Sequence, residues 1–266
     1  MTASLLTVEG LRIGIAGRPI IDGVDLRLAE GEVTALVGRS GGGKSLTARA
    51  LVGLRPRSAE VEGRALLRVG DGVQEDLLAL PPRRLRALRG AWVGYVFQEA
   101  QAALNPTVTV GRHFAETLRA HGVPRSLRYA RGLAALRDAG VEEPERMWGR
   151  HPFELSGGQA QRVTIALACA PEPRLLIADE VTSALDPVTQ AGVLDTLCSG
   201  ARAAGRALLL ITHDLAVAGR WADHVVVLEG GRVVESGPAR AVLAAPAHPF
   251  TADLVRASGA VARAGR

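Results

Sequence analysis

Between Leu5 and Leu36 apolar and polar positions alternate in short runs, Leu6–Val8, Leu11–Ile15 and Val24–Leu28, which is the period of strands that bury one face. Val33–Val37 breaks the alternation, and an apolar run without it suits a parallel strand covered on both sides. A glycine-rich loop comes next, followed by helical spacing over Ser45–Val52 with Gly53 and Pro56 as stop signals. From Pro82 to about Gly140 the pattern is mainly helical and rich in arginine, interrupted by the strand-like Trp92–Phe97 and by a loop around Asn105-Pro106. The second half predicts a helix over Gln159–Ala170 stopped by Pro171, a strand over Arg174–Ala178, a helix over Val188–Ser199 and a strand over Ala207–Thr212. Strands alternating with helices at this spacing predict an α/β fold with a parallel sheet. Gly230-Gly231 between Val225–Leu228 and Arg232–Glu235 is a hairpin signal, and Ala257–Arg266 reads as a frayed tail.

The strand, glycine loop and helix between Val33 and Val52 are the context of a phosphate site. Gly38-Arg39-Ser40-Gly41-Gly42-Gly43-Lys44-Ser45 fits G-x-x-x-x-G-K-[ST]. Glycines let successive backbone N–H groups turn inward around phosphate oxygens, and the helix that begins there adds its partial positive end. Lys44 would then bridge the β- and γ-phosphates, and the Ser45 hydroxyl would ligate Mg²⁺. Composition sharpens this reading, because Lys44 is the only lysine in a chain that uses arginine everywhere else. A bound nucleotide also needs a carboxylate at the end of a neighbouring buried strand. Leu175-Leu-Ile-Ala-Asp179-Glu180 supplies two: Asp179 for the metal, and Glu180 to orient or deprotonate the attacking water.

Other bulk features remove function classes. The 266 residues carry a formal charge of +5, but the arginines are scattered and aromatics are 3%, so no nucleic-acid partner is expected. The two cysteines, Cys169 and Cys198, have no histidine or cysteine at ligand spacing, which argues for ordinary thiols rather than a disulfide or zinc framework. No apolar stretch approaches the ~20 residues of a membrane-spanning helix. Met1–Gly10 has no basic cluster followed by an apolar block, so no export signal and a cytoplasmic location are expected.

Leu155-Ser156-Gly157-Gly158-Gln159, opening a helix upstream of the acidic pair, resembles the signature of ATP-binding cassette (ABC) proteins. The resemblance extends along essentially the whole chain. Gln98 is similar to the Q-loop glutamine, Ser183-Ala-Leu-Asp186 to the D-loop, and His213 to the switch histidine that contacts the γ-phosphate. It implies a P-loop NTPase core of RecA type with an N-terminal antiparallel β subdomain (1–97 and 163–240), an inserted helical signature subdomain (98–162) and a C-terminal helical tail (241–266). It further implies a catalytic set of Glu180, His213, Gln98 and Lys44, and magnesium ligands Ser45, Gln98 and Asp179. ATP would contact residues 38–46, through Leu46, with Ile15 in the place where the family carries an adenine-stacking aromatic. Ser156, Gly157, Gly158 and Gln159 would close over ATP held by a second cassette, with Asp186 at that interface. A narrower resemblance, through Gln98–Val110 and Ala247-His248-Pro249-Phe250, is to the cassettes of peptide, opine and nickel importers, and implies two transmembrane permease subunits and an extracytoplasmic solute-binding protein. The subunit would then lie on the cytoplasmic face of the inner membrane. The short run beyond His248 argues against a cysteine-containing extension and toward the shorter nickel type. Ribosome- or DNA-directed cassettes and exporters are the alternatives.

Overall fold

The computed structural model describes residues 4–70 and 72–258. A long hairpin opens the chain, β1 (Ser4–Ile15) and β2 (Arg18–Ala29), followed by β3 (Val33–Val37), the glycine loop and α1 (Lys44–Leu51). Two further strands come next, β4 (Ala59–Arg68) and β5 (Gln74–Asp76), then α2 (Pro82–Leu88) and β6 (Val93–Val96). The helical stretch contains α3 (Ala100–Ala103), α4 (Val110–Ala120), α5 (Arg125–Asp138), α6 (Pro144–Trp148) and α7 (Gly157–Cys169). After it run β7 (Leu175–Asp179), α8 (Pro187–Ala203), β8 (Ala207–Thr212), α9 (Leu215–Trp221), β9 (His224–Glu229), β10 (Arg232–Pro238), α10 (Ala239–Ala244) and α11 (Pro249–Ser258). The expected α/β class is the one observed. No helix among the described residues is long and apolar enough to cross a membrane. Neither cysteine is in a disulfide, and Cys198 is buried and Cys169 half-buried.

The chain forms two compact units, residues 1–88 with 207–266, and residues 89–206. The second encloses the whole of the helical segment 98–162. In the first unit one sheet is antiparallel, ordered β2-β1-β4-β5, while β8, β3 and β9 run parallel and β10 returns antiparallel beside β9. Every residue of β3 and β8 is buried, as their unbroken apolar runs require. Gly230 and Gly231, both at positive φ, make the β9–β10 turn that the sequence signals.

Two expectations need correction, and two strands were not foreseen. The separate runs Leu6–Val8 and Leu11–Ile15 are one strand, β1, whose pairing with β2 slips between Val8 and Leu11. The slip is a bulge at Gly10, at φ 56°, whose N–H donates to Asp25 Oδ1 at 2.7 Å. Strands β4 and β5 were not foreseen: only Ala65 and Leu67 of β4 are fully buried, and Glu60, Glu62, Arg64 and Arg68 interrupt its apolar positions. Helix α8 continues to Ala203, past the expected end at Ser199. The frayed-tail reading is answered as far as Ser258, the last residue of α11; residues 259–266 lie outside the described residues.

In the second unit α4, α5 and α6 close around Trp148, which stacks on Phe114 with centroids 5.6 Å apart and meets Tyr129 edge-on at 5.0 Å. Gly111 and Gly132 make room for it, since a Cβ on either would run into the indole ring. Gly132→Ala is therefore expected to cost about 1–3 kcal/mol through overpacking. Urea denaturation measures this, and wild-type stability in the variant would refute the packing account.

Candidate active site

In the first unit the buried strand β3 delivers the chain into the glycine loop. Gly38 lies so near β9 that a Cβ would strike the Leu228 carbonyl, and at Gly43, φ 95°, it would strike the Ile21 side chain. At these two positions the loop lies so close to its neighbours that no side chain would fit. Arg39, Ser40 and Gly41 are exposed, while Gly42, Gly43, Ser45 and Leu46 are half-buried. Lys44 opens α1 and is 3% exposed. Its ammonium donates to the carbonyls of Gly38 at 2.9 Å and Arg39 at 3.0 Å, so the chain's single lysine is held at the mouth of the loop it was expected to serve.

The parallel register of β3 and β8 pairs Val37 with Thr212. Gly38 and His213 thus leave adjacent strands at the same carboxyl end, the edge where open α/β sheets bind ligands. His213 is exposed. The turn behind it is fixed by the Thr212 hydroxyl, which accepts from Asp214 N–H at 3.0 Å, and by the Asp214 carboxylate, which caps α9 at Ala216 N–H at 2.7 Å. Ile15 is the half-buried last residue of β1, opposite Arg18.

The second unit repeats this logic with acids. Strands β6 and β7 are parallel with Val96 beside Ala178, so Gln98 and the acidic pair leave the same end. Asp179 is fully buried, and Tyr95 donates its hydroxyl to Oδ2 at 2.7 Å. Glu180 has φ 47°, the left-handed region that costs a non-glycine residue roughly 1–3 kcal/mol and is met at functional sites. Gln98 Nε2 donates to Glu180 Oε2 at 3.4 Å. Gln98 and Glu180, 82 residues apart in sequence, are therefore brought together. Tyr95 was missed; only the pairing of β6 with β7 shows that the residue before Val96 faces the Asp179 carboxylate.

The signature turn is a capping box. Ser156 Oγ accepts from Gln159 N–H at 3.3 Å and Gln159 Oε1 accepts from Ser156 N–H at 3.1 Å, which starts α7 in place. A Cβ on Gly158 would sit 2.7 Å from the Thr189 methyl, and one on Gly157 would reach Leu185 at 3.7 Å, so the signature glycines pack on the D-loop and the first turn of α8. Asp186 caps that helix, accepting from the N–H groups of Val188 and Thr189 at 3.1 Å each. The Thr189 hydroxyl first, and these N–H groups after it, hold the Asp186 carboxyl below the usual carboxylate range. Ser156 and Gly157 are exposed, and Gly158 and Gln159 half-buried.

Residues 21–183, more than half of the chain, match the family described as ABC transporter. The chain belongs to the ABC transporter family. Among curated ABC relatives, the dipeptide transport ATP-binding protein of Escherichia coli (strain K12) is 38% identical over 259 residues, covering 96% of this chain and 78% of the relative. The peptidoglycan transport ATP-binding protein of Agrobacterium fabrum (strain C58) is 41% identical over 263 residues, and this chain spans 47% of its length. A solved dimeric ATP-binding cassette in a post-hydrolysis state, bound to ADP and Pi, matches with a TM-score of 0.74 at 28% identity, over 88% of this chain and 99% of that one. The ABC cassette fold expected from the motifs is therefore the fold of this chain.

Proposed function

We propose that this chain is the ATP-binding and ATP-hydrolysing subunit of a peptide importer. The observation that carries it is the phosphate loop, where a single buried lysine at a helix start is bonded to two loop carbonyls. Residues 38–46 would grip the triphosphate, with Ile15 beside the base. Lys44 would hold the β- and γ-phosphates, and His213 would contact the γ-phosphate. Glu180, steadied by Gln98, would take the proton of the attacking water. Ser45, Gln98 and Asp179 would hold magnesium: all three offer oxygen donors, as that hard cation prefers, and a fully buried carboxylate such as Asp179 calls for a positive or donating partner. When bound, magnesium supplies neutralisation of phosphate charge.

The signature turn, Ser156 to Gln159, would close over ATP on a second cassette, with Asp186 at the same interface, so the working unit is a pair driving two permease chains. Residues 98–162 would form the subdomain that carries this signature, with the nucleotide-binding core in 1–97 and 163–240 and a helical tail from 241. An extracytoplasmic solute-binding protein would supply the substrate, and the subunit would sit on the cytoplasmic face of the inner membrane. Relatives whose names refer to dipeptide transport and to peptide import favour import of peptide-like substrates over nickel chelates, export or work on the ribosome. Affinity purification from native membranes in mild detergent is expected to recover two membrane-spanning permease chains. Recovery of RNA or ribosomal proteins in their place would overturn the transport reading.

Base recognition is expected to be loose. Ile15 offers an aliphatic surface where an aromatic ring would contribute about 1–3 kcal/mol of stacking. ATP and GTP should therefore bind with equal affinity in a competition assay, and a strict preference for ATP would count against Ile15 as the base contact.

A further inference from the structure

The His-Pro-Phe segment near the C-terminal end has no part in the chemistry above, yet it is built with care. Glu235, on β10, accepts from the N–H groups of Ala247 at 2.8 Å and His248 at 3.1 Å, which pins the chain just before α11. His248 Nδ1 then accepts from Phe250 N–H at 3.2 Å, fixing the first turn of that helix. Phe250 is 7% exposed and packs in the same cluster as Ala35 and Val37 of β3, the strand that leads into the phosphate loop. The guanidinium of Arg39, second residue of that loop, lies over its ring at 5.3 Å from the centroid. Within about 6 Å a cation is attracted to the negative face of an aromatic ring.

Arg39 is also tied to the loop's chemistry through its backbone. Its carbonyl accepts from Lys44 Nζ at 3.0 Å and from Gly42 N–H at 3.1 Å. The side chain of Arg39 is thus held from below by Phe250, while its peptide oxygen holds the lysine and the turn. We propose that Phe250 and Arg39 are positioning residues for the nucleotide site: the C-terminal segment braces the phosphate loop, and through the Arg39 carbonyl it sets the place of the Lys44 ammonium. This rests on the reading of residues 38–46 as the ATP loop. Glu235 and His248 hold the brace, Phe250 is its contact, and Arg39 passes the constraint to Lys44.

The test is a double-mutant cycle in the full chain, read as equilibrium ATP affinity and as the split between KM and kcat. Phe250→Leu keeps an apolar side chain and removes the π face, and is expected to weaken ATP binding about threefold to tenfold, appearing in KM rather than kcat. Phe250→Tyr keeps the face and should stay within about twofold of wild type. A role in core packing alone predicts no coupling between Phe250 and Arg39 in the cycle. Arg39→Met lies on the exposed side of the contact, leaves the core untouched and should lose as much affinity as Phe250→Leu. The double variant should lose no more than either single change, because both break one link. Additive losses would overturn the proposal, and so would wild-type affinity in Arg39→Met, which stands even where Phe250→Leu folds poorly. Lys44→Ala separates the two levels. If it abolishes ATP binding while the cycle shows no coupling, the brace fails alone; if it leaves binding intact, the ATP-loop reading fails.

Discussion

Glu180→Gln is expected to bind ATP with wild-type affinity and to hydrolyse it at least about a hundredfold more slowly, the usual scale for loss of a general base. The substitution keeps the shape of the side chain and an oxygen that accepts from Gln98 Nε2, so the pair at the ends of β6 and β7 is preserved in outline. What disappears is the negative charge and the ability to take a proton. ATP-bound dimers should therefore persist, because the step that ends the closed state is blocked. Single-turnover phosphate release and size-exclusion chromatography with ATP read the two effects separately. Wild-type turnover would remove Glu180 from the role of base.

Lys44→Ala should fail one step earlier. Charge-assisted hydrogen bonds contribute about 1.5–3 kcal/mol each, so losing the ammonium is expected to lower nucleotide affinity by about tenfold to a hundredfold or more. The Gly38 and Arg39 carbonyls would also lose a shared donor, which loosens the loop before any nucleotide arrives. Lys44→Arg is a sharper version of the same test. Lys44 is buried as a compact point charge, and a planar guanidinium is larger and directs its donors differently. Both variants should lose binding of a fluorescent ATP analogue while their urea transitions show a folded protein. Retained affinity in Lys44→Ala would remove Lys44 from the site.

The phosphate loop, the acidic pair and the signature turn were legible in the sequence because each is a local device. A glycine loop between an apolar run and a helix, or the run Leu155–Gln159 that resembles the signature, is written in consecutive residues and needs no partner from afar. Gln98 and Glu180 were each singled out, but not the hydrogen bond between them, and Tyr95 was not expected at all. Both depend on the parallel register of β6 and β7, which no local pattern encodes. Strands β4 and β5 escaped for a different reason. β4 pairs with β1 and β5 with β4, but few of their side chains are fully buried and charged residues alternate with the apolar ones, which obscures the period. The role of the His-Pro-Phe segment was invisible because its contacts, Glu235 and Arg39, stand 12 and 211 residues from the groups they meet.

The backbone of Glu180 carries a consequence for how this protein can be improved. A left-handed φ of 47° suits glycine or asparagine, so selection for thermal resistance alone would favour replacing the glutamate proposed as the base. The end of β7 is thus a position where durability and turnover pull in opposite directions. A screen that scores only survival on heating would drift toward inactive cassettes there, and only one that also counts released phosphate would hold the carboxylate in place.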